Sequence, residues 1–314
     1  MSAPTAVRPP RSRSVPTDRP SGRSVTRGQA TAGYVLSSLY VLLFVAFAFL
    51  PAVYAVYLAF VRPGGGFAGI GNFITVATDF RYVATFKNLG VYALVFLVPT
   101  LVISIGLALL LHGRRTGVAS TFRVLYYLPH SVIGVAAVLL WLFLLTPRVS
   151  PIGGLLESLG MEQFYDVVRP GNPASLAVLF AIIAVWTSGQ GILLMFAALS
   201  SVPQEVEEAA SIDGANAWQM VWHIKLPLLR KWVAYLLITS VAASTQLFAE
   251  PQLMSAVTNG AVGTNFSPLQ LAYTFAYQYG NFPASAALSI QLLLLGLGGA
   301  VLVVKKTGMF RVEV

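Results

Sequence analysis

At 314 residues, with 56% hydrophobic and only 10% charged side chains, the chain lies outside the range of soluble globular domains. The absence of cysteine excludes disulfides, thiolate metal sites and a cysteine nucleophile. A net charge of +9 would suit nucleic acid, but the basic residues lie mostly beside long apolar runs, which points to membrane topology instead.

Residues 1–31 are rich in Pro, Ser and Arg, with six arginines against Asp18 alone, and read as a disordered basic tail unable to bury a core. The apolar run that follows is too long for a signal peptide. Six such runs occur, near residues 34–60, 89–111, 124–145, 175–199, 232–254 and 284–304. Each is close to the ~20 residues that cross ~30 Å of hydrocarbon. Pro51, Pro99 and Pro129 lie within or at the edges of spans, where kinks are tolerated if neighbours satisfy the freed carbonyls. The expected fold class is an all-α polytopic membrane protein, with a transmembrane body over residues 32–314.

Fifteen of the twenty basic residues fall on one side of these runs: the tail arginines, Arg114, Arg115, Arg123, Lys225, Arg230, Lys231, Lys305, Lys306 and Arg311. Arg62, Arg81, Lys87, Arg148 and Arg169 fall on the other. The positive-inside rule therefore puts both termini and residues 201–230 in the cytoplasm. The opposite loops are longer and carry Gly, Pro and aromatics, including Asn72-Phe73 and Tyr273, Tyr277 and Tyr279.

Residues 201–230 form a polar island between apolar runs, yet read as structured. Ser201 with Gln204 fits a capping box, and Pro203 suits a first helical turn. Glu205, Glu207 and Glu208 complement the positive end of the helix dipole. Gly214, after Asp213, can take the left-handed conformation that ends a helix. A second short helix is predicted through residues 217–225, stopped by Pro227. DNA binding is a poor reading of this helix-turn-helix, which is acid-rich and tethered between spans.

Glu208-Ala209-Ala210, Asp213-Gly214-Ala215, Ile224, Leu226 and Pro227 resemble the EAA loop of ABC importer permeases. Further stretches are similar to carbohydrate-type members: Phe122-Arg123-Val124-Leu125-Tyr126-Tyr127-Leu128-Pro129 with Trp141, Gly171-Asn172-Pro173-Ala174 through Trp186, and Tyr279 through Ala286. One departure is Lys231, where the sugar-importing branch often has Pro. The chain most resembles the first permease of the pair in such importers, in a bacterial cell membrane. That resemblance implies a cytoplasmic coupling loop docking on an ATPase subunit through Glu208, Ala209, Ala210, Asp213, Gly214, Ala215, Trp218, Trp222, Ile224 and Pro227. It also implies a second permease, two ATPase subunits that hold ATP and magnesium, and an extracytoplasmic solute-binding protein. This chain would bind no cofactor or metal itself.

Little supports an enzyme. No Gly-rich phosphate loop ends in Lys-Ser/Thr, and His112, His130 and His223 are too scattered for a metal cluster. His130-Ser131 lacks the remaining features of an intramembrane serine protease. Candidate path residues are Trp186, Gln190, Thr245, Gln246 and Glu250. Trp186 and Gln190 are predicted to share one helix face at i, i+4, suited to an uncharged polyol; polar glue between helices is the alternative. Glu250 at mid-membrane would cost ~2.5–3.5 kcal/mol. It is expected either to face a cavity or to sit at the outer interface and orient the fifth span. A self-sufficient secondary transporter or channel is the competing function. It needs buried acids for a coupling ion, and Glu250 is the one available within a span.

Overall fold

The computed structural model describes residues 27–112, 116–132, 134–162, 166, 173–257, 262–263 and 265–307. Among these, extended pairing is limited to one bridge between Val61 and Phe67, and the remaining regular structure is helical. The chain separates into two units, Met1–Val53 and Tyr54–Val314.

In the first unit, α1 (Arg27–Phe44) passes through a π-helical segment (Val45–Phe49) into the start of α2 (Leu50–Ala59), which runs on past the unit boundary at Val53. The helix thus begins at Arg27; residues 1–26 of the basic tail lie outside the described residues. The π segment immediately precedes Pro51, whose ring would clash with a carbonyl four residues back in a regular helix. A wider turn relieves that clash. The apolar side chains of this unit are exposed, Phe47 by 78%, as suits a surface bathed in lipid.

The second unit continues with α3 (Gly71–Ala77), α4 (Tyr82–Leu111), α5 (Thr116–Tyr127), α6 (Val135–Leu144) and α7 (Gly153–Ser158). Then come α8 (Pro173–Thr187), α9 (Gln190–Ser200), α10 (Gln204–Ile212), α11 (Ala217–Gln219), α12 (Leu226–Ser244) and α13 (Ala249–Val257). The chain closes with α14 (Pro268–Tyr273) and α15 (Phe282–Thr307). Four helices are long and apolar enough to cross a membrane, rising to six if the bent pairs α5–α6 and α8–α9 each count as one crossing.

The main core joins α4 and α8. Leu89, Tyr92 and Phe96 pack with Leu176, Phe180 and Ile183, and α6 adds Ala137 and Val138. A second cluster sets Ala108 of α4 against Met195 and Leu199 of α9 and against Leu229 and Leu236 of α12. Small residues allow close helix approach: a Cβ on Gly299 of α15 would lie 3.0 Å from Val241 of α12.

Polar contacts fix several of the loops between helices. The buried amide of Asn72 donates to the carbonyls of Ala59 and Val61, both at 2.8 Å, closing the end of α2. Arg81 pairs with Asp79 (2.7 Å) and donates to the Tyr279 hydroxyl (3.1 Å). The Asp79 carboxyl is held below the usual range by the Arg81 hydrogen bond, against the opposing effect of burial. Asn265-Phe266-Ser267, which matches a glycosylation acceptor, is a helix start: Ser267 is buried and caps α14 by accepting from the Gln270 backbone N–H.

Candidate functional site

The 201–230 stretch forms a helical hairpin whose details differ from expectation in two ways. The cap of α10 is Pro203, in extended conformation and without a side-chain cap, while Ser201 donates to the Ala198 carbonyl at 2.7 Å. The capping box lies instead at Asn216 and Gln219, which exchange two hydrogen bonds of 2.9 Å. The Asn-x-x-Gln spacing carried that signal. Secondly, Pro227 does not stop the second leg. α11 continues through a π-helical segment (Met220–Lys225) into α12, and the wide turn again lies under the proline ring.

The turn itself follows the expected chemistry. Gly214 has φ +83°, its N–H donates to Ser211 (3.1 Å), and the Ala215 N–H donates to Ala210 (3.0 Å). This pair of bonds is the Schellman arrangement, which satisfies carbonyls left open at the end of α10. Glu208, Ala209, Asp213 and Pro227 are exposed; Ala210, Ala215 and Ile224 are half-buried. Trp218 and Trp222 stand 69% and 51% exposed, with ring centroids 5.3 Å apart. Ile212 at 86% exposure completes an apolar, aromatic surface on a segment that is otherwise polar.

Sequence reasoning missed what anchors this hairpin. Glu207 accepts from Lys225 Nζ at 2.9 Å and lies 3.2 Å from His112 Nε2, at the end of α4. Burial pushes the Glu207 carboxyl up, but the Lys225 bond and charge, together with His112, hold it below its ordinary range. Nearby, the Arg123 guanidinium sits 3.8 Å above the Phe196 ring, which meets His112 edge-on. No local pattern could link Glu207 to His112, ninety-five residues earlier.

The second feature is a cavity of about 370 Å³ beside the break between α8 and α9, which meet at 47°. The break has local causes. The Thr187 and Ser188 hydroxyls turn back onto carbonyls of α8, at 3.1 Å to Ala184 and 2.7 Å to Val185. Gly189 is required by proximity: a Cβ there would lie 2.6 Å from the Tyr126 carbonyl oxygen. The Thr187 carbonyl, left open by the break, accepts from His130 Nδ1 at 2.7 Å.

Gln190 and Glu250 both line the cavity, as the path reading requires. The structure separates Trp186 from Gln190, because the bend destroys the i, i+4 register. Trp186 lies in a different, apolar groove with Pro99 and Pro129, edge-on to Trp141 at 5.9 Å. Thr245 and Gln246 are also absent from the cavity lining. Thr245 donates to Ala242 (2.8 Å) and packs by Gly296, and Gln246 is exposed in the turn after α12. Helix α12 ends at Ser244, so the expected uninterrupted span ends too early to carry them inward.

Other lining residues were missed. Tyr92, Phe96 and Thr100 come from α4 and Tyr235, Thr239 and Ser240 from α12. Tyr92 and Phe96 lie parallel, 5.8 Å apart. Thr100 is 2% exposed and its hydroxyl has no hydrogen-bond partner. The available signal was the four-residue spacing of Tyr92, Phe96, Thr100 and Ser104 within an aliphatic run, which marks one buried face.

A family profile described as binding-protein-dependent transport system inner membrane component matches residues 89–304. The chain is 30% identical over 272 residues to the sn-glycerol-3-phosphate transport system permease protein UgpA of Agrobacterium fabrum, covering 83% of this chain and 89% of that one. It is 27% identical over 302 residues to the diacetylchitobiose uptake system permease protein NgcF of Streptomyces coelicolor, covering 91% and 84%. Its fold is similar to a chain of a bacterial ABC transporter involved in import of the acidic polysaccharide alginate, with TM-score 0.72 at 19% identity over 91% of this chain and 98% of that one. The profile match extends over most of the helical body, including the broken helix, the cavity and the exposed hairpin: this chain belongs to the binding-protein-dependent transport system inner membrane component family and is a multi-pass permease.

Proposed function

We propose that this chain is the first of two permeases in an ATP-driven importer of a sugar or oligosaccharide in a bacterial cell membrane. The observation that carries the reading is one helix with two duties. α12 continues directly from the 201–230 hairpin and contributes Tyr235, Thr239 and Ser240 to the cavity. Lys225 to Thr239 spans about 21 Å at ~1.5 Å per residue, enough to carry motion from a membrane face to its interior. A push on the hairpin is therefore a push on the cavity wall.

In this reading the chain crosses the membrane six times, with both termini and the hairpin in the cytoplasm, as the distribution of basic residues favours. The Trp218–Trp222 pair, Ile212 and the Glu208–Ala215 turn dock into an ATPase subunit. Two such subunits hold ATP and magnesium; this chain holds neither and binds no nucleic acid. A solute-binding protein delivers the solute at the outer face, and a second permease completes the path. Gln190, Glu250 and Tyr235 offer hydrogen bonds to hydroxyls, and the Tyr92 and Phe96 rings offer apolar faces to sugar C–H groups. Lipid covers the exposed apolar helices, including the Trp186 groove.

Purification in mild detergent with the products of neighbouring genes tests the reading. ATPase activity should co-purify and rise when the binding protein is added with its sugar. If no ATPase accompanies the chain under any condition, the proposal fails.

A further inference from the structure

We propose that Glu250 makes the cavity beside the α8–α9 break a charge filter that favours uncharged, hydroxyl-rich solutes and rejects phosphorylated or uronate-type anions. The consequence for transport rests on the importer reading above; the electrostatic claim does not. The relatives span both charge classes by name, a glycerol phosphate system and a diacetylchitobiose system. Family membership therefore does not choose between them, whereas the cavity does.

Glu250 is the one carboxylate lining the cavity, and among the described lining residues there is no Lys or Arg. A phosphate or uronate bound away from water needs a guanidinium or ammonium partner, or a row of backbone N–H groups. Here it would meet a like charge. Two like charges about 6–8 Å apart at an effective dielectric constant of about 20 disfavour each other by roughly 30- to 100-fold. Apart from His130, the remaining polar lining groups are hydroxyls and the Gln190 amide. Tyr235 and Thr239, both exposed in the lining, add neutral hydroxyls. Gln190 adds an amide that both donates and accepts, which matches the dual character of a sugar hydroxyl.

The cysteine-free sequence makes the field of this cavity directly measurable. Thr239→Cys, in the lining, and Ser158→Cys, at the exposed end of α7, are each placed in the purified complex. Each is reacted with three methanethiosulfonates bearing a trimethylammonium, a sulfonate or a hydroxyl group, in mildly alkaline buffer. Rates are normalised to those of a small free thiol. With Glu250 present, the cationic reagent should outpace the sulfonate at Thr239→Cys by at least about tenfold, and the neutral reagent should fall between them. Adding Glu250→Gln should collapse that ratio, Glu250→Asp should preserve it, and neither should alter the ratio at Ser158→Cys.

A ratio at Thr239→Cys that matches Ser158→Cys, or that survives Glu250→Gln, overturns the filter. So does failure of all three reagents to reach Thr239→Cys, since a filter must be open to solute. The chemistry needs no turnover. A complex that shows the expected ratios but lacks an ATPase would sink the importer reading alone.

Discussion

Gly214 carries a conformational demand with no packing demand. Its φ is +83°, yet nothing lies within 4 Å of where a Cβ would stand. A side chain there costs about 1–2 kcal/mol through backbone strain alone, and a β-branched one crowds the turn further. Gly214→Val is expected to abolish recovery of the ATPase subunit by affinity pull-down, and uptake with it, while membrane insertion continues. Gly214→Ala should lose less. Normal pull-down and uptake with Val would remove the joint from the mechanism. Glu207 invites a different test. Its carboxyl is held below the ordinary range, so the stabilisation from Lys225 is complete above about pH 4.3. It is lost as pH falls through the depressed folded value. Glu207→Gln should weaken pull-down at neutral pH, and the gap between parent and variant should close in that acid window. A constant gap down to the lowest tolerated pH would assign Glu207 a role other than its charge. At Gln190, substitution by Leu should reduce uptake several-fold at unchanged complex yield; normal uptake would make the amide structural.

At the scale of elements, two breaks in helical regularity position the working parts. The α8–α9 break depends on Gly189, whose missing Cβ admits the Tyr126 carbonyl. Gly189→Val forces that contact apart, and overpacking of this kind typically costs about 1–3 kcal/mol. The expected result is a lower thermal midpoint for the detergent-purified complex and loss of uptake. An unchanged midpoint would mean that the two bent spans can separate freely. The π-helical segments before Pro51 and Pro227 show a second device. Each widens the turn under a proline ring, so the helix passes a residue that would otherwise end it. In the second case the result is mechanical: the hairpin and α12 become one body.

For the whole molecule, the prediction concerns sides of the membrane. Cysteines introduced singly at Ser21, in the basic tail, and at Ser158, in the loop after α6, should react with impermeant reagents from opposite faces. Ser158 is exposed, whereas Ser267, in another loop on that side, is buried and unsuited to the test. Reaction of both from outside would overturn the topology. The distribution of apolar surface fits the same picture. Helix faces with no protein against them, such as Leu293, Leu297 and Leu302 of α15, have lipid as their natural partner.

Sequence alone determined what depends on local or bulk properties: the all-helical class, the apolar runs, the charge asymmetry and the Asp213-Gly214 turn. Hydropathy, formal charge and backbone propensity act over a few residues or over whole runs, so they can be read without coordinates. Tertiary structure decided which polar residues meet. Gln190 and Glu250, sixty residues apart, share a cavity, while Trp186, four residues from Gln190, faces another groove. The regular 3.6-residue period that paired Trp186 with Gln190 is interrupted at Ser188–Gly189, where the Tyr126 carbonyl of a different helix leaves no room for a Cβ. The same holds for Glu207 and His112: an ion pair across ninety-five residues is set by how α4 packs beside the hairpin, which no periodicity in either segment encodes.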